Sequence, residues 1–541
     1  MENLRQKMIL NWKSGLTVSL VAIPLSISLA VASGTTPLVG IITAIWAGLV
    51  ASFFGGSNYN IVGPTGALSG MIAAYATIHG AGSLPTLTVV AGIIIIGAYL
   101  LRLERYLIFI PSSVINGFTL GVAFIIGFGQ LNSALGLSGL QKQESFFRNI
   151  LESIMHIRDT SLPTVIVFCV FLFLLFILRK TISKAPPVLI LSPFGIFLGY
   201  LATRILHIKL ATIGSVFGNI QFSLFEVPHI EFSSDIFVGA SAIALVAILE
   251  TMLSARIADG MTHTKHNERK EMFGLGLANV VSGLFGGIPA TAALARTSLN
   301  VKTGATDKIS ARFSAIFLTL ISFLSLTYFS YLPMSVIAAM LAFIAFNMVE
   351  TEHFVKFYRY QRNGFWLSLL VAAVTLFQDP IAGIVFGTAA ALLLFVEKLS
   401  HGQFNVKLNS YDKGVVQSLS GDHIDEITEH ADILLYSIKG KLVYLNSRAH
   451  VNRFTYGLTD YKAVILRLRS VYFIDLDGAE ALEDIIDTVQ KRKQQICITS
   501  VNPEVANLLH EVSPHYRALM AQGLIFAKSE EALRHYGLTP Q

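Results

Sequence analysis

Residues 282–300 read SGLFGGIPATAALARTSLN, and the reading of this stretch decides the fold. It lies inside an apolar region, yet it interrupts itself with Gly286-Gly287, restarts near Pro289 and then carries Arg296. An arginine at the depth of a bilayer costs on the order of 3 kcal/mol by insertion scales, so its presence there points to a role. Residues 52–70, SFFGGSNYNIVGPTGALSG, repeat the pattern: Phe-Gly-Gly, an interruption, a proline, then small residues. Two broken segments of one design point to an internal repeat.

Composition shows what the repeat is embedded in. Of 541 residues, 53% are hydrophobic and 14% charged, and the mean hydropathy is +0.61. These values exclude a soluble enzyme and indicate an integral protein of the lipid bilayer. Apolar runs approaching the roughly 20 residues of a span occur at 16–33, 38–54, 64–79, 87–101, 107–130, 162–178, 187–205, 237–255, 272–286, 290–301, 313–330, 333–349, 364–377 and 381–397, fourteen in all. An even number puts both termini on one side. Lys7 and Lys13, Arg102 and Arg105, Arg179 to Lys184, Arg256 to Lys270, Lys308 with Arg312, and Lys356 to Arg362 fall on that same side, which the positive-inside rule makes cytoplasmic. The net charge of +6 follows from this topology, so no nucleic-acid partner is inferred. The first run is too long for a cleaved signal and lacks a small-residue cleavage site, so it reads as span one. Cys169 and Cys497 are too few for a disulfide framework or a metal cluster and read as packing residues.

Each broken segment opens the third span of a seven-span half. An odd number of spans per half forces the halves into opposite orientations, so the repeat is inverted. Pro64 and Pro289 suit the first turn of a new helix, and the Gly-Gly stretches before them suit extended chain. The two half-helices then aim their N-termini, each with free N–H groups and partial positive charge, at one point near the midplane. Arg296, about two turns into the second, adds a full charge, and the point suits an anion. Thr65, Ser69, Thr291, Thr297 and Ser298 offer hydroxyls there, and Gly63, Gly66, Ala67, Ala290, Ala292, Ala293 and Ala295 leave backbone accessible. The alternative, small residues packing helices while Arg296 snorkels to an interface, leaves the paired breaks unexplained.

Glu250 is the one acid well inside a span, with Ser254 a turn later on the same face. It suits a coupling cation such as Na+ or a proton, or a structural partner for Arg296. His263 and His266, in a charged loop, are weak grounds for a metal site. The first span, VAIPLSISLAVASG, is kinked by Pro24 and hydroxylated, which suits a cavity wall. From about residue 430 the period changes: ADILLYSIKGKLVYLN, KAVILRLRSVYFID and QQICITSVN read as strands separated by helices at 478–493 and 502–511. This small α/β domain, reached through a polar linker, carries no nucleophile–base set or phosphate loop and reads as a regulatory or assembly module.

The ordered set VAIPLSISLAVASG, VGPTGALSG, HNERKEMFGLGLANVVSGLFGG, the arginine half-helix and VYFIDLDGAEALEDI resembles the sulfate permease (SulP) family of anion transporters over almost the whole chain. The last motif is similar to the signature of the STAS domain. The resemblance implies a helical membrane domain over 1–400, with fourteen transmembrane segments in a seven-plus-seven inverted repeat of core and gate bundles. A linker at 401–430 and a cytoplasmic α/β STAS domain at 431–541 follow. It implies substrate held by Pro64, Thr65, Gly66 and Ala67 on the third span and by Ala290, Thr291, Ala292, Ala293, Leu294, Ala295 and Arg296 on the tenth. Glu250 and Ser254 match the cation-coupling positions, Leu25, Ser26 and Leu29 the cavity wall, and Asp475, Asp477 and Gly478 the regulatory STAS signature. Asp477 stands where stand-alone relatives carry a phosphorylatable serine, and Leu25 where many sulfate-type members have glutamine, which leans towards the bicarbonate-like subgroup. The expectation is a secondary active transporter of sulfate or bicarbonate coupled to Na+ or H+ by alternating access. It is expected as a homodimer in a bacterial cytoplasmic membrane, with no cofactor beyond Na+, no enzyme activity, and a STAS domain that can bind a cytoplasmic partner. The alternatives are an uncoupled anion exchanger, a dicarboxylate symporter, a nucleobase permease and a membrane sensor.

Overall fold

The computed structural model describes residues 2–137, 140, 146–181, 186–218, 220–226, 235–378, 380–411, 414–420, 430–458 and 460–537. Lys184, one of the basic loop residues, lies outside them. The chain divides into two compact units, Met1–Ala391 and Leu392–Gln541.

Each of the fourteen apolar runs corresponds to a helix. In the first half these are α1 Glu2–Ala32, α2 Pro37–Phe54, α3 Gly66–His79, α4 Leu84–Leu100, α5 Ser112–Phe128, α6 Leu162–Thr181 and α7 Pro187–Tyr200. The second half repeats the series with α8 Ile236–Thr262, α9 Glu268–Leu284, α10 Leu294–Lys302, α11 Ile309–Phe329, α12 Met334–Met348, α13 Arg362–Phe377 and α14 Pro380–Ser400. Among the described residues, ten helices, some with the helical turns that adjoin them, are long and apolar enough to cross a membrane; α3, α9, α10 and α13 are not among them. One bundle packs α9 on α4 and α2, and α11 on α1 and α2; the other packs α12 and α13 on α5, and α12 on α6. The contact of α4 with α9 is backbone to backbone, since a β-carbon on Gly92 would stand 2.6 Å from Val280 N and 2.7 Å from Gly276 O.

The two broken segments meet. Strand β1, Val62–Gly63, pairs antiparallel with β2, Thr291–Ala292, setting Val62 opposite Ala292 and Gly63 opposite Thr291. Antiparallel strands send the helices that follow them, α3 and α10, away in opposite directions, as an inverted repeat requires. The prolines do not open the helices, contrary to expectation. Helix α3 starts at Gly66 behind an extended Thr65, and α10 at Leu294 behind an extended Ala293. Pairing between the segments holds residues 290–293 extended, so Arg296 is the third residue of α10 and lies in its first turn.

The second unit is a six-stranded sheet in the order β4-β3-β5-β6-β7-β8. Its strands are β3 Gln403–Ser410, β4 Gly414–Ser420, β5 Ile433–Leu442, β6 Ala463–Ile474, β7 Gln495–Thr499 and β8 Ile525–Phe526. Strands β5 to β8 run parallel, and β3 lies antiparallel between β4 and β5. The connections carry α15 Ser447–Tyr456, α16 Leu476–Lys491, α17 Pro503–Val512, α18 Pro514–Ala521 and α19 Ser529–His535. The linker expected at 401–430 therefore contains two strands. Its polar letters hide a period of two, in which Phe404, Val406 and Leu408 are buried in the core of the sheet. His450 is fully buried against Tyr436, its Nδ1 2.7 Å from the phenol oxygen. Burial, then the charge of Arg453, pushes its pKa down to about 3.

A fragment beginning at Gln403 is expected to fold, and one beginning at Asp432 to lose at least about 5 kcal/mol, since three buried apolar side chains contribute roughly 1.5–3 kcal/mol each. Urea unfolding of the two fragments checks this, and equal midpoints would show that β3 is dispensable. The longer fragment should also weaken as pH falls from about 6.5 towards 3, because His450 binds a proton when unfolded and not when folded. His450→Gln should flatten that slope in the same titration.

Candidate functional site

Backbone that leaves a helix at membrane depth needs partners inside the protein, and α9 supplies them at two places. Near its start Glu271, 3% exposed, accepts from Gly56 N at 2.6 Å, Ser57 N at 2.7 Å and Asn60 Nδ2 at 2.6 Å. Two turns later the Asn279 side chain takes both polar groups of Ala290, donating to its carbonyl at 3.0 Å and accepting from its N–H at 2.9 Å. Thr43 accepts from Ile288 N at 2.8 Å, and Thr88 donates to Gly287 O at 3.1 Å. From α8, Thr251 accepts from Ala292 N at 3.1 Å and shares a 2.7 Å hydroxyl contact with Thr291. Ser254 donates to Asn60 Oδ1 at 3.1 Å or Thr297 Oγ1 at 2.9 Å.

This scaffold fixes two charged groups at the crossing. Arg296 is 2% exposed, and its Nη2 donates to Pro64 O at 2.5 Å. Its Nη1 is buried and has no hydrogen-bond partner among the described residues. A β-carbon on Gly63 would lie 2.7 Å from that nitrogen, so glycine there makes room for the guanidinium. Glu250, half-buried, accepts from Thr65 Oγ1 at 2.9 Å. Thr65 is the cap of α3 and Arg296 lies in the first turn of α10, so both helix N-termini add partial positive charge beside these groups.

Beside the crossing is a cavity of ≈ 910 Å³. Leu25, Ala67, Glu250, Ser254, Ala295 and Arg296 line one side, and α5 and α12 face them with Phe118 and Phe343. Of the expected substrate residues, Ala67, Leu294, Ala295 and Arg296 reach the cavity. Pro64, Thr65, Gly66, Ala290, Thr291, Ala292 and Ala293 form the layer behind it, where Ala290, Thr291 and Ala292 are fully buried. Of the expected wall of α1, Leu25 lines the cavity, while Ser26 and Leu29 do not. They are buried at 0% and 5% exposure, and a β-carbon on Gly40 of α2 would lie 2.2 Å from Ser26 O, so that face packs on α2.

Glu250 and Ser254, expected together at the coupling position, both line the cavity; the Ser254 hydroxyl donates to Asn60 or Thr297, and Glu250 accepts from Thr65. Glu271, Asn279 and Thr251 escaped the sequence reading. Asn279 and Thr251 are polar residues among small and apolar ones, as in GLGLANVVSG, which alone does not say what they hold, and Glu271 stands in the charged run HNERKEMF. His266 Nδ1 lies 2.7 Å from Asp259, and no group of three metal-ligating side chains occurs among the described residues. In the second unit, Asp475 caps α16 through Gly478 N at 2.8 Å. A β-carbon on Gly478 would meet Leu442 O at 2.3 Å, which leaves Asp477 as the exposed member of the signature.

Two broken segments crossing in opposite directions beside a cavity between helical bundles define a membrane carrier built on an inverted repeat. The chain belongs to the sulfate permease family, whose sequence pattern matches residues 9–371, and a STAS domain pattern matches residues 426–531. It is 29% identical to the putative sulfate transporter YvdB of Bacillus subtilis, over 92% of both chains. It is 24% identical to the bicarbonate transporter BicA of Picosynechococcus sp., over 96% of this chain and 93% of that one. The murine Slc26a9 anion transporter in the inward-facing state shares the fold, with a TM-score of 0.80 at 15% identity over 96% of this chain and 90% of the other. The transmembrane domain of a cyanobacterial BicA superposes with a TM-score of 0.62 at 22% identity, over 69% of this chain and 96% of that one.

Removing an anchor should loosen the crossing. Glu271→Ala leaves the N–H groups of Gly56 and Ser57 without their acceptor and the Asn60 amide with its bond to Thr251 O, an expected loss on the order of 3 kcal/mol. Thermal unfolding in detergent should show a drop of several degrees that Glu271→Gln recovers in part; an unshifted melting curve for the alanine variant would mean the loop is held by other contacts.

Proposed function

We propose that the protein is a secondary active transporter of small inorganic anions, sulfate or bicarbonate, working by alternating access. The observation that carries this reading is Arg296, a buried cation with Nη1 unpartnered among the described residues, lining a cavity that the first turns of α3 and α10 also reach through Ala67, Leu294 and Ala295. A buried guanidinium is costly, and an anion in the cavity that Arg296 lines would compensate its charge. Ala67 and Ala295 beside it leave room for a small, compact ion to approach backbone. The names of the relatives, sulfate and bicarbonate transporters, support the same substrate class.

Coupling is assigned to Glu250, and to H+ before Na+. Glu250 is hydrogen-bonded by Thr65, while the Ser254 hydroxyl donates to Asn60 or Thr297 and not to it, a setting that suits a proton on a single carboxylate. Protonation of Glu250 would leave the charge of Arg296 uncompensated and so favour the anion beside it. The Lys- and Arg-rich connections support cytoplasmic termini in a bacterial cytoplasmic membrane. The STAS domain and the family support a homodimer and a cytoplasmic partner for the exposed surface near Asp477.

Uptake of labelled sulfate and bicarbonate into proteoliposomes, with and without a Na+ or pH gradient, tests the reading. Arg296→Ala should stay monodisperse and raise the apparent KM for the transported anion more than tenfold, on the order of the 1.5–3 kcal/mol of a charged hydrogen bond; an unchanged KM would remove Arg296 from the site. Glu250→Gln should abolish the cation dependence and concentrative uptake while anion-for-anion exchange persists. Undiminished accumulation with the same cation dependence would make Glu250 a structural residue.

A further inference from the structure

The cavity does not end at Arg296. It runs along α10 past Ser298 and Leu299 to Lys302 and Thr303, and its opposite wall at that end includes Arg179, in the last turn of α6, and Glu350. Lys302 is in the last turn of α10 and belongs to the bundle that carries the crossing; Arg179 belongs to the facing bundle. Both are exposed, and neither side chain makes a hydrogen bond or ion pair among the described residues. Glu350, the acid at this end of the wall, is 2.9 Å from His353 Nδ1. The mouth thus presents two cations unpaired among the described residues, one on each bundle, with its carboxylate turned to a histidine.

A concave entrance of one sign of charge, walled by low-dielectric protein, concentrates the field and raises the local concentration and arrival rate of the opposite ion. We infer that Lys302 and Arg179 form a second anion subsite, a staging position at the cytoplasmic mouth that captures a small oxyanion before it moves inward to Arg296. The inference rests on the anion-transport reading above and adds a place on the route that the crossing does not supply. Because one cation sits on each bundle, the subsite is complete only while the bundles stand as they do here. It therefore serves loading and release on this face and not the far side. Exposed cations are screened at physiological salt within a Debye length of about 8 Å, so the effect must weaken as ionic strength rises. A lysine or arginine that merely packed or solubilised the surface would show no such dependence.

The charge of the mouth is read without knowing which anion is carried. In inside-out membrane vesicles containing the full chain, Ser298→Cys with Cys169→Ala places one accessible thiol on the cavity wall, since Cys497 is buried. Its reaction rates with anionic ethylsulfonate and cationic trimethylammonium methanethiosulfonates are compared at low ionic strength. The anionic reagent should be favoured on the order of tenfold relative to a free thiol. Arg179→Gln with Lys302→Gln should reduce that preference several-fold, while Arg179→Lys with Lys302→Arg preserves it. The glutamine pair should also raise the KM for sulfate or bicarbonate offered from this side several-fold at low salt, with maximal rate unchanged and the salt dependence flattened. A thiol preference unaltered by the glutamine pair overturns the subsite. If the wild-type chain carries neither anion, the function proposed above fails, and the thiol ratio still decides whether the mouth gathers anions.

Discussion

A peptide group that leaves its helix inside a membrane can send its N–H and C=O only to the protein itself. Here one neighbour, α9, anchors both breaks, while Thr43, Thr88 and Thr251 on α2, α4 and α8 take further groups of the second. From α9, Glu271 accepts from the first break, and Asn279 closes both polar groups of Ala290 in the second. A carboxylate can accept several N–H groups at once, and a carboxamide can donate and accept together. Each anchor therefore has the chemistry its break demands: free N–H groups after Gly55, and one N–H with one C=O at Ala290. With the breaks held, the two strands can pair, and with the strands paired the helix N-termini and Arg296 have fixed positions.

The charge at the crossing follows from the same geometry. Gly63 has no side chain, so Arg296 lies against the backbone of the other half and donates to Pro64 O. One arm of the guanidinium is thereby used to tie the halves together, and the other, Nη1, is buried against Gly63 without a hydrogen-bond partner among the described residues. Glu250 is tied to the first half through Thr65. The cation and the carboxylate thus each bridge from the second half to the first, and neither can change partner without the other half registering it.

Much of this was legible in the sequence. The fourteen runs, the two Phe-Gly-Gly breaks, Arg296 and Glu250 stand out because a membrane forbids such letters without cause, and the structure sets them together. The details that were not legible share one physical reason: they depend on what lies across from a residue. Ser26 reads as a hydroxyl for a cavity wall until Gly40 is found against it. The prolines read as helix starts until the pairing of Gly63 with Thr291 keeps the following chain extended. Residues 403–410 read as linker because the apolar positions Phe404, Val406 and Leu408 are too few for a confident strand until β5 covers them. Glu271 looked like one more charge in a basic loop, since nothing near it in sequence reveals a partner 215 residues away.

That separation has a consequence in time. The chain emerges from the ribosome N-terminus first, at about 5–20 residues per second. Gly56 and Ser57 are therefore made on the order of ten to forty seconds before the carboxylate that will receive their N–H groups, 215 and 214 residues later. Through that interval the first break has neither its anchor nor its partner strand, and half of the membrane unit is present without the crossing that organises it. The first half must wait, and the site can come into being only once the second break has been made.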